Sequence, residues 1–511
     1  MGGGTNTAKK SLNLLASINY ARVFNKVHDV NAMLLYNRQS DTNEKDDPKV
    51  PTKFTGVTAK LSYKYASKYL IDFNAAYNGS DRFSADNRYG FFPAVGVGYV
   101  MSEEKWFRNI VGKAVEHFKI RASYGIVGSD VAPGDRYLYK NVYKTGDSYS
   151  FGENNNQGSQ GYREGDLAND HVTWEKAKKF DIGIDLNLFN RISITVDYFH
   201  DNRYDQLVYR NDIPLIIGAG SAPLNVAKTE NWGFDGQVGF RDQWGDFGFN
   251  SNFVFSFAKN KVLYKAEAQQ RYPWLASTGR SIGQEFGYKW IGYYTPEDIK
   301  LIKSGAENAP AVPNTDVPVQ AGDLKYKDLN HDGVINDYDK GAIGKPNLPN
   351  TTLGWTIGGT WKGFSLSVLF QGSFNYSFSI KGTGIEPFKS QFQPLHEKRW
   401  TLERWQNGED IEFPRLTSNP STVNSAEAYM SDFWLIDAWY IRLKTVDLSY
   451  DFPRKWIPKF MSGLRLYANC YNLFTWTSYK KYQQDPEIQT NTAGDAYMNQ
   501  RVVNFGVNIS F

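Results

Sequence analysis

Cysteine is almost absent: Cys470 is the single one among 511 residues, which excludes an intramolecular disulfide and a cysteine-built zinc site. Long apolar runs are missing as well. No stretch of about 18 apolar residues occurs, so the chain is not a bundle of membrane-crossing helices, and mean hydropathy is only −0.53. Net charge is slight, +4 from 58 basic and 54 acidic side chains, and gives no reason to invoke nucleic acid as a partner. The histidines (His28, His117, His171, His200, His331 and His396) are scattered. No H-E-x-x-H, G-x-S-x-G or Walker loop accompanies them, so no enzyme chemistry is expected. Met1-Gly2-Gly3-Gly4-Thr5 shows no apolar core of a secretory signal.

What is present is aromatic: 33 Tyr, 33 Phe and 14 Trp, 16% of the chain, together with 45 Gly. High aromatic content at low mean hydropathy fits a membrane barrel, whose strands turn half their residues to a polar lumen. Composition alone leaves a large soluble β protein equally open. The closing stretch sharpens the choice. Val503, Phe505, Val507, Ile509 and Phe511 alternate with Asn504, Gly506, Asn508 and Ser510, which gives a strand one apolar and one polar face. Its length suits a tilted membrane-spanning strand of about 9–11 residues.

The same period-two pattern predicts fifteen strands. They are Leu12–Tyr20, Val27–Gln39, Thr55–Tyr65, Tyr69–Gly79, Pro93–Met101, Phe118–Val127, Trp174–Phe189 and Ile192–Arg210. Leu224–Phe240, Asp246–Lys259, Leu353–Trp361, Phe364–Gly372, Ala438–Tyr450, Leu464–Leu473 and Arg501–Phe511 complete the set. The clearest hairpin runs from Phe180 to Tyr198 about a tight turn at Asn190-Arg191. Connections alternate in length. Ala66–Lys68, Asn190–Arg191, Arg241–Gly245 and Lys362–Gly363 are short, with Ser102–His117 and Asp451–Gly463 longer on the same side. Gly128–Thr173, Asn260–Thr352, Ser373–Asp437 and Phe474–Gln500 are long. Short periplasmic turns opposite long extracellular loops are the asymmetry of an outer-membrane barrel, and a soluble sandwich has no reason for it. The expected fold is therefore all-β: a transmembrane antiparallel β-barrel with long extracellular loops. Counting back from Phe511, the first strand runs inward from outside and the strand number is odd, whereas bacterial single-chain barrels are even. At least one strand and a signal peptide are thus expected upstream of Met1, with residues 1–511 the C-terminal part of a longer protein.

The sharpest local motif lies in the longest loop, residues 260–352. Asp328-Leu-Asn330-His-Asp332-Gly333-Val334-Ile-Asn336-Asp-Tyr-Asp339 follows a calcium-loop register: oxygen ligands at the first, third and fifth places, Gly at the sixth, a carbonyl at the seventh and a carboxylate at the twelfth. Calcium takes hard oxygen ligands, and Asp328, Asn330, Asp332, the Val334 carbonyl, Asn336 and Asp339 offer them. Asp in place of Glu at the twelfth place has a shorter reach, and no helix pair flanks the loop, so the expectation is a structural staple. The competing reading is an Asx-rich turn that needs no ion. Asp181 and Asp185 fall on a lumen face and read as solvated carboxylates. The aromatic and amide-rich loops Tyr149–Gln160 and Gln391–Trp405 suit stacking on sugar rings or gripping peptide backbone.

Several blocks carry a family resemblance. Asn87–Glu104 reads N-R-Y-G-F-F-P-A-V-G-V-G-Y-V-M-S-E-E and Phe118–Gly128 reads F-K-I-R-A-S-Y-G-I-V-G. Asp323–Pro346 holds the D-x-N-x-D-G loop and I-G-K-P; Ser431–Pro453 and Leu464–Glu487, the latter ending D-P-E, follow. In this order they resemble the SusC/RagA-like branch of TonB-dependent outer-membrane transporters of Bacteroidetes-type bacteria. The resemblance implies a plugged barrel, energised through TonB, paired with a SusD-like surface lipoprotein and importing oligosaccharides or peptides. Such barrels have about 22 strands, so roughly seven, with the plug, are expected N-terminal to the fifteen seen here. The alternative function is a non-transporting surface binding protein or adhesin built on the same loops.

Overall fold

The computed structural model describes residues 8–43, 50–112, 114–131, 133, 136–154, 157–210, 220, 223–382, 385–386, 393–488 and 497–511. The chain divides into two compact units, Met1–Asp235 with Lys259–Gln269, and Gly236–Ala258 with Gln270–Phe511.

The first unit begins with β1 (Lys9–Phe24), β2 (His28–Asn43), β3 (Thr52–Tyr65), β4 (Tyr69–Ser80), β5 (Tyr89–Val100) and β6 (Val115–Ser129). Each pairs antiparallel with the next. A short helix, α1 (Lys105–Val111), fills the β5–β6 connection, and a hairpin of β7 (Tyr143–Phe151) and β8 (Gln157–Glu164) stands in the following loop. The sheet resumes with β9 (Glu175–Leu188), which pairs with β6, then β10 (Ile192–Val208) and β11 (Leu224–Trp244). The short turns carry left-handed backbone at paired positions: Asn25 and Lys26, Ala66 and Ser67, Phe189 and Asn190 all have φ between 48° and 60°. Positive φ at both central residues matches the strands' twist. The β9–β10 turn thus centres on Phe189-Asn190, one residue before the expected Asn190-Arg191.

Alternation is borne out along these strands. On β4, Tyr69, Ile71, Phe73 and Tyr77 are exposed apolar residues, while Asp72 on the other face accepts a hydrogen bond from Ser62. A small core of Phe83, Phe92, Leu138, Val172, Trp174 and Leu207 closes the loop ends. Trp174, expected to open a strand, instead packs there, its indole N–H donating to the Arg88 carbonyl at 3.0 Å.

In the second unit, β12 (Phe247–Tyr264, its last residues belonging to the first unit) leads into a folded excursion. It contains β13 (Glu285–Gly287), β14 (Trp290–Tyr293), α2 (Pro296–Ser304), β15 (Val312–Pro313), β16 (Leu324–Tyr326), β17 (Val334–Ile335) and β18 (Gly341–Ile343). These pair among themselves, β13 with β18, β14 with β16 and β15 with β17. The large sheet continues with β19 (Thr351–Trp361) and β20 (Phe364–Ser379). After a loop holding α3 (Leu402–Gln406) come β21 (Leu435–Asp451), β22 (Gly463–Thr477) and β23 (Val502–Ser510). The fifteen expected strands are thus all present, in order, in one 15-stranded sheet.

Most strands outrun their expected ends. β9 and β10 instead stay within theirs, and where their apolar alternation ends the pairing continues through ion pairs, Lys179–Asp201 at 3.0 Å and Lys176–Asp205 at 3.2 Å. Charged pairs hold a ladder without leaving a hydrophobic period to read.

The long loops of the second unit are not loose. Residues from 288 to 335, 376 to 440 and Tyr479 share one core, with Tyr294, Tyr326, Tyr376, Ile385, Val423, Trp434 and Tyr479 at or near full burial. Burial of a single large aromatic side chain is worth about 1.5–3 kcal/mol, so this core is what orders the loops.

Candidate functional site

The calcium-like motif lies where its spacing placed it, along the loop between β16 and β18. Its oxygens are engaged by the loop itself. Asp328 accepts the His331 and Gly333 amides at 2.7 and 2.8 Å, and Asp332 accepts Val334 at 2.9 Å. Asn336 accepts Tyr338 at 2.8 Å, and Asp339 accepts Leu329 and Asn336 at 2.8 and 2.9 Å. Gly333, at φ 81°, makes the sharp turn that side chains resist. The Val334 amide, with Asn330 beside it, holds the Asp332 carboxyl below the usual range. Asp339 is fully buried and braces the base of the loop. Among the described residues no three His, Cys, Asp or Glu side chains converge as a metal-binding group. The donors have the hard-oxygen chemistry calcium takes. The fold of the loop is accounted for by Asx turns.

Two charged clusters tie the outer loops together. Asp323, fully buried, accepts from Arg415 at 2.7 Å, Asn424 at 2.8 Å and the Gln320 amide at 2.8 Å. Asn424 in turn accepts the Leu324 amide at 2.9 Å. On β21, Arg442, 2% exposed, donates to Asp485 at 2.9 Å and Glu487 at 2.8 Å, and Lys444 reaches Glu487 at 2.6 Å. The carboxylates are those of the D-P-E block. Both partners lie in blocks that carry the family resemblance, but nothing in spacing links a strand cation to a loop anion forty residues later.

Beside the core runs a groove of about 830 Å³ bordered by Gln393, Pro394, His396, Arg399, Leu416 and Thr417. It coincides with the expected loop Gln391–Trp405, of which Gln391 and Phe392 lie outside the described residues. His396 is locked in place: Nδ1 accepts the Gln393 amide at 3.0 Å and Nε2 donates to the Ile385 carbonyl at 2.8 Å. The other expected loop, Tyr149–Gln160, is the tip of the β7–β8 hairpin, with Asn155 and Asn156 outside the described residues. Tyr143, Tyr149, Phe151 and Tyr162 are more than half exposed on it, a set of rings open to a planar ligand face.

On the polar face of the first unit, Asp181 and Asp185 are not freely solvated, contrary to expectation. Arg121 lies 3.4 and 3.3 Å from them and 2.7 Å from Asp197. The register puts Arg121, Gly183 and Asp197 in one row across β6, β9 and β10. Glycine at 183 makes the contact possible: a Cβ there would stand 1.9 Å from an Asp197 oxygen.

The family described as TonB dependent receptor-like, beta-barrel, matches residues 3–473. This chain belongs to that family. It is an outer-membrane β-barrel chain, and the SusC/RagA resemblance is borne out. TonB-dependent receptor P3 of Formosa agariphila is 27% identical over 90% of this chain and 46% of its own length. TonB-dependent receptor SusC of Bacteroides thetaiotaomicron is 23% identical, over 88% and 43%. A solved structure of the RagAB peptide transporter superposes with a TM-score of 0.75 at 18% identity, covering 99% of this chain and 56% of that one. This receptor chain spans about half the length of the curated relatives it matches.

Proposed function

We propose that this chain supplies membrane strands and outer loops of a TonB-coupled importer that takes up oligosaccharides or peptides with a SusD-like surface lipoprotein. The family match over residues 3–473 carries this reading. The relative named SusC and the structure titled as the RagAB peptide transporter support the partner and substrate classes. The loop core, the groove beside His396 and the exposed rings of the β7–β8 hairpin are the binding surfaces it would use, and no covalent chemistry is involved. Energy coupling belongs to the intact receptor. The test is deletion of the gene for the intact protein in its own bacterium, followed by uptake of labelled oligosaccharides and peptides. Loss of one class, restored by complementation, is expected; unchanged uptake of both overturns the reading and leaves a surface adhesin.

We further propose that the Asp328–Asp339 loop holds a structural calcium ion, through Asp328, Asn330, Asp332, the Val334 carbonyl, Asn336 and Asp339. Its spacing supports this, as does a donor set made wholly of oxygen. Elemental analysis of the purified protein should find calcium that is lost on replacing Asp328 and Asp332 together by Ala. Calcium-free wild-type protein ends the proposal.

A further inference from the structure

The outward face of β12, β19 and β20 is largely apolar at its short-turn end, and a gap opens there. Register sets Phe247 beside Trp361 beside Phe364, then Phe249 beside Gly359 beside Leu366, then Ser251 beside Ile357 beside Val368. Gly359, at the centre, has no side chain. The result is a notch of about 300 Å³ lined by Phe247, Phe249, Ile357, Trp361, Phe364 and Leu366. The backbone does not call for glycine here. Gly359 is absent from the positive-φ residues, and a Cβ would meet nothing nearer than a Phe247 ring carbon at 3.7 Å. The missing side chain therefore shapes the surface and relieves no strain.

The notch lies at the short-turn end, two residues from the Lys362-Gly363 turn. Rings gather around it: Trp244 stacks on Phe247 at 6.0 Å and Phe364 meets Tyr450 at 4.4 Å. Such aromatic girdles mark the level of lipid headgroups in membrane barrels. Lys362 is 61% exposed, with its ammonium 5.5 Å from the Trp361 ring and a loose 3.9 Å from Asp246. A lysine on a boundary turn snorkels its charge toward headgroups.

We propose that this notch is a binding site for one acyl chain of an inner-leaflet phospholipid, whose phosphate lies at the level of Lys362. The bilayer already covers this face of an outer-membrane strand, so the notch is continuous with an established interface. An unbranched acyl chain is the apolar group available there, and it restores the dispersion contacts that the bare centre loses. The inference rests on the outer-membrane location and not on what the receptor carries, so uptake assays and lipid assays fail independently.

The test uses the intact protein extracted in mild detergent. Native mass spectrometry and lipid extraction follow stepwise delipidation of wild type and Gly359→Leu, with heat-modifiable gel migration as the folding control. Wild type should keep a phospholipid through washes that strip the variant. Equal retention by the two, retention by neither, or recovery of lipid A in place of phospholipid overturns the proposal. If Gly359→Leu does not fold, a phospholipid with a photoreactive acyl chain, cross-linked to wild type in native membranes, replaces it. Labelling should map to Phe249 or Leu366, and labelling elsewhere alone refutes the site.

Discussion

Replacing Arg442 with Met should release the loop between β22 and β23 while leaving the strands in place. The guanidinium side chain is 3% exposed and meets Asp485, 7% exposed, and Glu487, 15% exposed. At an effective dielectric near 20, each charge pair at 4 Å interacts by about 4 kcal/mol before desolvation is subtracted. Removing one partner of such a pair leaves a buried charge uncompensated and costs about 3–5 kcal/mol. Lys444 still neutralises Glu487, so the stranded group is Asp485, which places the cost toward the lower figure. A drop of about 3 kcal/mol in the opening free energy accelerates exchange roughly a hundredfold, at 1.4 kcal/mol per tenfold. The reporters are the amides of Tyr482, Gln483 and Ile488, which donate to Tyr479, Lys480 and Asp485. Hydrogen exchange measured by mass spectrometry on the detergent-solubilised receptor reads them directly. Arg442→Met combined with Asp485→Leu should recover most of the protection, because the pair is then replaced by apolar groups. If Arg442→Met exchanges no faster than wild type over residues 479–488, the latch reasoning is wrong.

Three further outcomes follow from the outer-loop core. Thr295→Ala removes the cap of α2, whose hydroxyl accepts the Asp298 amide at 3.1 Å, and should cost about 1 kcal/mol in local stability. Its partner Asp298 is partly desolvated, which opposes ionisation, yet the Thr295 amide and Lys325 hold its carboxyl below the ordinary value. A depressed folded-state pKa adds stability that is present above the unfolded pKa of about 3.9 and fades as pH falls through the folded one. Exchange at the α2 amides should therefore accelerate only in that acid window, and Asp298→Asn should abolish the dependence. Gly344→Ala, at φ 59° with a Cβ 2.6 Å from the Ser377 hydroxyl, should destabilise the β18–β20 junction by at least the roughly 1–2 kcal/mol of left-handed strain. Limited proteolysis between residues 343 and 350 checks it.

Strand existence, order and facing were legible because each depends on a two-residue period that any single strand carries by itself. Phe505, Val507 and Ile509 alternate with Asn504, Gly506 and Asn508 in the sequence, and β23 carries that alternation into its pairing with β22. Short turns were legible from length, although the left-handed pair at Phe189 and Asn190 was placed one residue late, because neither residue is glycine. The Asx-rich turn of Asp328–Asp339 was legible too, since its hydrogen bonds close within one loop. What tertiary structure alone decided is everything that joins distant segments: Arg442 to Asp485 and Glu487, Asp323 to Arg415 and Asn424, and Arg121 to three aspartates across two strands. It also decided that residues 288 to 335 fold against the loops from 376 to 440 instead of standing alone. Periodicity is a local property and survives in one dimension; charge pairing, loop cores and a gap such as Gly359 exist only once register has set separate strands side by side.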